Sequence, residues 1–149
     1  LIETDIPRLA ETSSDRFVPF VAKHLKKRFC SVLEEPDDTK SMSSTEMHQV
    51  RKRCKRLRYW AEFAAPVLDE PITELMLRAK AVTSAFGDVH DADVQYEQLK
   101  RSGFAESHAV RDALRRTRKA ACRDAEKAWS MLRKPAFTKV VQSALTRLQ

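Results

Sequence analysis

The sequence predicts an all-α protein: an antiparallel bundle of four main helices followed by a short terminal helix. Three observations predict it. Apolar residues recur every three or four positions over most of the 149 residues, which is the period of one helix face. Ala, Leu, Arg, Lys and Glu dominate, and these are good helix formers. Two glycines and two tyrosines are too few for the turns and aromatic strands of a β-sandwich. The length suits a single domain, 1–149, with enough surface to bury a core.

Leu1 to Ser13 shows no clear period and contains Pro7. The first helix is predicted from Ser14 or Asp15, with Phe17, Phe20, Val21, His24 or Leu25, Arg28 or Phe29, and Val32 at helical spacing. Pro19 then falls near its first turn, where proline is tolerated. Pro36 ends it, and Glu34 to Thr45 reads as a polar loop.

A second helix starts near Ser44 or Thr45. Met47, Val50, Cys54, Leu57, Ala61, Ala64 and Leu68 form one apolar stripe, and Pro66 and Pro71 close it. The third helix runs from about Pro71, a good first-turn residue, with a stripe of Ile72, Leu75, Met76 or Ala79, Val82 and Phe86. Gly87 is expected to interrupt it, with Asp91 capping a continuation through Val94 to Leu99 and Gly103 ending that piece. The fourth begins near Glu106 or Ser107. Its stripe is Val110, Leu114, Thr117, Ala121, Ala125, Ala128 and Leu132, and Pro135 breaks it. Phe137 to Leu148 is the final helix. Trp60 and Trp129 lie near apolar stripes and read as core.

No stretch approaches the roughly 20 apolar residues of a membrane span, and no apolar signal segment appears. The chain begins at Leu1 rather than Met, as a fragment or trimmed product would. Cys30, Cys54 and Cys122 are odd in number and far apart, so the expectation is free buried thiols in a reducing cytoplasm, not a metal site or disulfide framework. His90 among Asp88, Asp91 and Asp93 reads as a helix-break motif rather than a metal site.

The net charge of +7 is unevenly spread. Acids gather at Glu34 to Asp38, Asp69 to Glu74 and Asp88 to Asp93. Arg111 to Lys134 is strongly basic. His48 to Tyr59 holds six cations and no acid within about three helical turns. Clustered cations repel unless something negative sits opposite. Basic helices with acidic connections therefore point to an anionic partner.

On a helical projection His48, Lys52, Lys55, Tyr59 and Glu62 share a face. Arg51 and Arg58 stand between that face and the apolar stripe, where arginine buries its stem and projects its guanidinium. The result is a ladder of donors suited to a linear polyanion. A nucleic-acid-binding module shares this charge, but the sequence has no helix-turn-helix spacing, zinc motif or aromatic RNA motif. An enzyme would need a glycine-rich phosphate loop or a nucleophile–base pair, and neither is evident. A scaffold that docks an acidic protein is the third alternative.

The same residues resemble a CHAD domain, the conserved histidine α-helical domain. His48-x-x-Arg51 is followed by Lys55-Arg56-Leu57-Arg58-Tyr59 and Glu62-Phe63-Ala64-Ala65-Pro66. Phe86-Gly87-Asp88-Val89-His90-Asp91-Ala92-Asp93-Val94 is similar to the family's second motif. The likeness is strongest over about Thr45 to Leu99, and Ala128-Trp129 through Pro135-Ala136-Phe137 is similar to the family's end. CHAD domains are built of two helical halves, and this chain resembles one, more like the second.

The resemblance implies non-catalytic binding of inorganic polyphosphate, without a cofactor, and association with polyphosphate granules. It also implies a groove completed by a second half, which a second copy of the chain would supply. The expected phosphate contacts are His48, Arg51, Lys55 and Arg58, then Lys52 and Arg56, with Tyr59 as a hydroxyl donor. Lys23, Lys27, Arg115 and Arg118 are expected from neighbouring helices. Asp91 and Asp93 are expected to fix packing or hold basic side chains.

Overall fold

In the computed structural model the described residues are 5–103 and 107–149, with side chains from residue 16 onward in the first helix. Five helices follow one another: α1 Asp5–Leu33, α2 Ser44–Ala64, α3 Glu70–Arg101, α4 His108–Leu132 and α5 Pro135–Arg147. A single 3-10 turn, Thr39–Ser41, interrupts the α1–α2 connection. Among the described residues there is no strand. The antiparallel packing follows the chain: α1 on α2, α2 on α3, and α3 on α4. The last helix, α5, returns against α1 and α3.

The apolar stripes explain this arrangement. Val50, Cys54, Leu57, Ala61 and Ala64 of α2 are fully buried, as are Ile72, Leu75, Ala79 and Val82 of α3. Full burial of a Val, Leu or Ile side chain is worth about 1.5–3 kcal/mol. Polar signals set the ends. Ser43 caps α2 through a capping box, its hydroxyl accepting from the Glu46 backbone N–H while the Glu46 carboxylate accepts from the Ser43 backbone N–H. The Ser43 backbone N–H, and then its hydroxyl, donate to the Glu46 carboxylate and hold its pKa below the ordinary value. Pro71 sits in the first turn of α3 and Pro135 in that of α5, where a missing N–H costs nothing. Beyond α3, Gly103 turns the chain with φ 78°, a left-handed conformation that favours glycine.

Several sequence expectations need correction. The first helix begins at Asp5, well before Ser14, and Pro19 lies in its interior, where one backbone hydrogen bond is forgone. Phe17 and Phe20 are 38% and 54% exposed, so full burial on α1 starts at Val21, with half-buried Val18 packed against the core. Trp60 is only half-buried. It stacks on His24 at 5.2 Å and meets Phe20 and Phe63 in an aromatic cluster on the α1–α2 surface. Trp129, by contrast, is buried beside Phe86, and its indole N–H donates to the Pro36 carbonyl at 3.0 Å.

The break expected at Gly87 does not exist, because α3 is one continuous helix of 32 residues. Asp91 is therefore an exposed mid-helix residue, not a cap. The packing of α2 and α4 on α3 outweighs the roughly 1 kcal/mol that a helical glycine costs. The predicted stripe of α4 is only partly covered. Val110 and Leu114 are half-buried and Thr117 is exposed, while burial begins at Ala121. On α3 burial stops at Ala92. Past Asp93 on α3 and before Arg118 on α4, the two helices run on as a largely exposed two-helix arm. Glu106, one proposed start of α4, lies outside the described residues; Ser107 is its N-cap.

The cysteines are free, with Cys54 buried and Cys30 and Cys122 half-buried. Burial pushes the Cys54 thiol up to about 12. No helix among the described residues is long and apolar enough to cross a membrane.

Candidate functional site

The basic run lies on α2, but its cations have different fates. Arg53 is a cross-link, not a ligand arm. Its guanidinium pairs with Glu35 at 2.8 Å and donates to the Ser31 carbonyl at 3.1 Å, which ties α2 to the end of α1. Arg51 points the other way and lies across α3. Its Nε is 3.4 Å from the Thr83 carbonyl, long for an N–H···O bond. Gly87 of α3 faces this guanidinium, and a Cβ would fit there in ordinary contact. A Cβ there would stand 3.5 Å from Arg51 Nε and 3.6 Å from Nη2.

Arg58 is half-buried and lies over the Tyr59 ring at 4.7 Å. Its Nε is 3.7 Å from the Glu62 carboxylate. That is close enough for charge attraction but beyond hydrogen-bond reach, so the buried Nε has no hydrogen-bond partner among the described residues. Lys52, Lys55 and Arg56 are exposed and form no ion pair among the described residues. The Lys55 ammonium lies 5.8 Å over the exposed Tyr59 ring.

At the start of α2 the ladder meets α3. His48 is half-buried, and its ring lies 6.1 Å from that of His90. Together with Arg51, Asp93, Met47, Phe86 and Val89 they line a small hollow. Its free volume of about 20 Å³ is that of a single water site. An anion can therefore lie across its rim but not enter it. Asp93 pairs with Arg118 of α4 at 2.6 Å. This hydrogen bond raises the guanidinium pKa and links α3 to α4. Asp93 thus holds a basic side chain, as expected.

The structure brings His48, Arg51 and Arg118 to one end of the bundle, with Lys52, Lys55, Arg58 and Tyr59 following along α2. Arg115 is exposed one turn before Arg118 on α4. Lys23 and Lys27 are not brought to the hollow. They are exposed on α1, which packs on α2 and α5. Sequence reasoning did not find the approach of His90 to His48. It also missed Lys40, Lys119 and Arg123, which flank Arg118 in a neighbouring hollow. The spacing of Arg115, Lys119 and Arg123 is a helical row readable in the sequence, whereas Lys40 gave no signal.

A larger groove of about 440 Å³ between α3 and α4 is mostly apolar, lined by Leu77, Ala81, Ala85 and Met131. Its two cations are offset by Glu74 and Asp124. Among the described residues no group of three His, Cys, Asp or Glu side chains is placed to hold a metal ion.

The family model of the CHAD domain matches residues 4–100, about two thirds of the chain. The chain belongs to the CHAD domain family. Neither a curated protein nor a solved structure matches it. The CHAD match takes in α2 with the whole basic run, and α3 to within one residue of its end. It therefore includes His48, Arg51, Gly87 and Asp93. Arg115, Arg118, α4 and α5 of this CHAD protein lie beyond the matched residues.

Proposed function

We propose that this protein is a non-catalytic binder of inorganic polyphosphate, held by the basic face of α2. The observation that carries the reading is the set Lys52, Lys55 and Arg56, exposed on one helix with no ion partner among the described residues. They continue from His48 and Arg51 at the rim of the hollow. Uncompensated cations in a row cost stability through mutual repulsion, and a flexible anion with one charge per phosphate relieves that cost along its length. Arginine adds forked hydrogen bonds to phosphate oxygens. Membership of the CHAD family supports the same reading.

The test is calorimetric titration with long-chain polyphosphate at two salt concentrations, with duplex DNA as competitor. Binding should weaken steeply with salt, because each neutralised phosphate releases a counterion. DNA should not displace the polyphosphate; ready displacement would favour a nucleic-acid-binding module. Arg51→Ala or Arg58→Ala should weaken binding about tenfold, or roughly 1.4 kcal/mol. Exposed Lys139→Ala should change it little, and equal effects would reject the site. Polyphosphate shortened during long incubation would overturn the non-catalytic part. A groove completed by a second copy is part of the proposal, and light scattering with and without polyphosphate tests it.

A further inference from the structure

Beside the His48 hollow lies a second one, between the 3-10 turn, the start of α2 and the middle of α4. Lys40, Arg118, Lys119 and Arg123 line it, with Glu126, Cys122 and Met47. Two features tie the hollows together. Met47 lines both. The Asp93–Arg118 pair joins them, since Asp93 belongs to the first and Arg118 to the second.

Charge and room distinguish the second hollow. Its one lining acid, Glu126, is paired with Lys40 at 3.1 Å. Arg118 is engaged by Asp93. Lys119 and Arg123 are exposed and have no ion partner among the described residues. Its free volume is about 340 Å³, against about 20 Å³ for the first. The first hollow admits one water; the second has space for phosphate groups and unspent cations to meet them.

We infer that this hollow is a second phosphate-binding subsite, and that a bound polyphosphate turns at His48 and crosses the bundle onto α4. This rests on the polyphosphate reading of α2 and adds a direction to it. The CHAD match ends before α4, so the family assignment makes no statement about these residues. Lys119 and Arg123 take the phosphates. Asp93 holds Arg118 at the crossing, so the carboxylate there does not face the anion uncompensated.

The test uses the full chain and long-chain polyphosphate. Lys119→Gln/Arg123→Gln is compared with Lys134→Gln/Lys139→Gln, which removes two exposed cations elsewhere. The first pair should weaken binding about tenfold and flatten the salt slope by about 1.4, taking 0.7 per neutralised charge of a flexible strand. The second should do much less. All four positions are exposed, and equal melting temperatures confirm that each variant folds.

Cys122 gives an independent readout, because it lines the hollow and is half-buried. Polyphosphate should slow its alkylation by a neutral reagent and leave Cys30 on α1 unaffected. Equal losses from the two pairs, or unchanged Cys122 alkylation, overturn the subsite. If Arg51→Ala still weakens binding in that event, the α2 reading survives alone. If the parent chain binds no polyphosphate, both fall.

Discussion

Arg51 and Gly87 meet where α2 packs on α3. The sequence marks both residues, yet the reason for the glycine is not a turn. Gly87 sits inside the continuous helix α3, and the guanidinium of Arg51 lies beside it. A Cβ would touch that guanidinium at an ordinary contact distance of 3.5 Å. Gly87→Ala should therefore gain about 0.5–1 kcal/mol of helix stability and leave polyphosphate binding intact. Gly87→Leu carries further carbons into the space of Arg51 and should lower affinity by displacing it. Thermal melting and titration of both variants check this. A destabilised alanine variant would mean that α3 needs the glycine for another reason. His48 shows a limit of sequence at the same scale. Its helical face was legible, but His90 is more than forty positions away, and only the crossing of α2 and α3 brings the rings together.

At the scale of elements, boundaries written in local chemistry were legible. The start of α2 was expected near Ser44 or Thr45, and the structure begins it at Ser44, with Ser43 and Glu46 each accepting a hydrogen bond from the other's backbone N–H. Ser43→Ala removes that cap and should cost about 1 kcal/mol, within the usual range of 0.5–2. A fall in melting temperature without loss of polyphosphate binding is the expected result. Boundaries set by packing were not legible. The expected break at Gly87 rested on propensity, and a glycine penalty of about 1 kcal/mol is small beside the burial of Phe86 and Val89 on either side of it. The stripe of α4 failed in the opposite direction. Val110, Leu114 and Thr117 have the right period but lie on an arm where α3 is the neighbouring helix. Periodicity names a face; it does not supply the element that covers it.

For the whole molecule, the question is whether α4 and α5, beyond the CHAD match, belong to the same folding unit. Trp129 of α4 packs on Phe86 of α3 and donates to the Pro36 carbonyl. Arg133, just after α4, donates to the carbonyls of Val32 and Leu33 at 2.9 and 3.0 Å. It thereby satisfies the end of α1, a role that a local cap fills elsewhere. The three hydrogen bonds each join residues 93 to 101 positions apart. Trp129→Ala should cost about 3–5 kcal/mol and shift one cooperative transition. Two separated transitions, only one of them moved, would divide the chain into two units.

By itself the sequence determined the helical class, the number of helices and most of their ends. Those depend on neighbours three or four positions apart along one chain segment. It also determined that α2 carries a cationic face, because six cations in twelve residues cannot be dispersed by any packing. Only the tertiary structure decided which cations are spent and which are free. Glu35 takes Arg53 and Asp93 takes Arg118, whereas Arg51 lies on the α3 backbone and forms no ion pair among the described residues. Each of these pairings joins residues on different elements. The attraction acts over a few ångströms of space, and the order of residues along the chain does not record that distance.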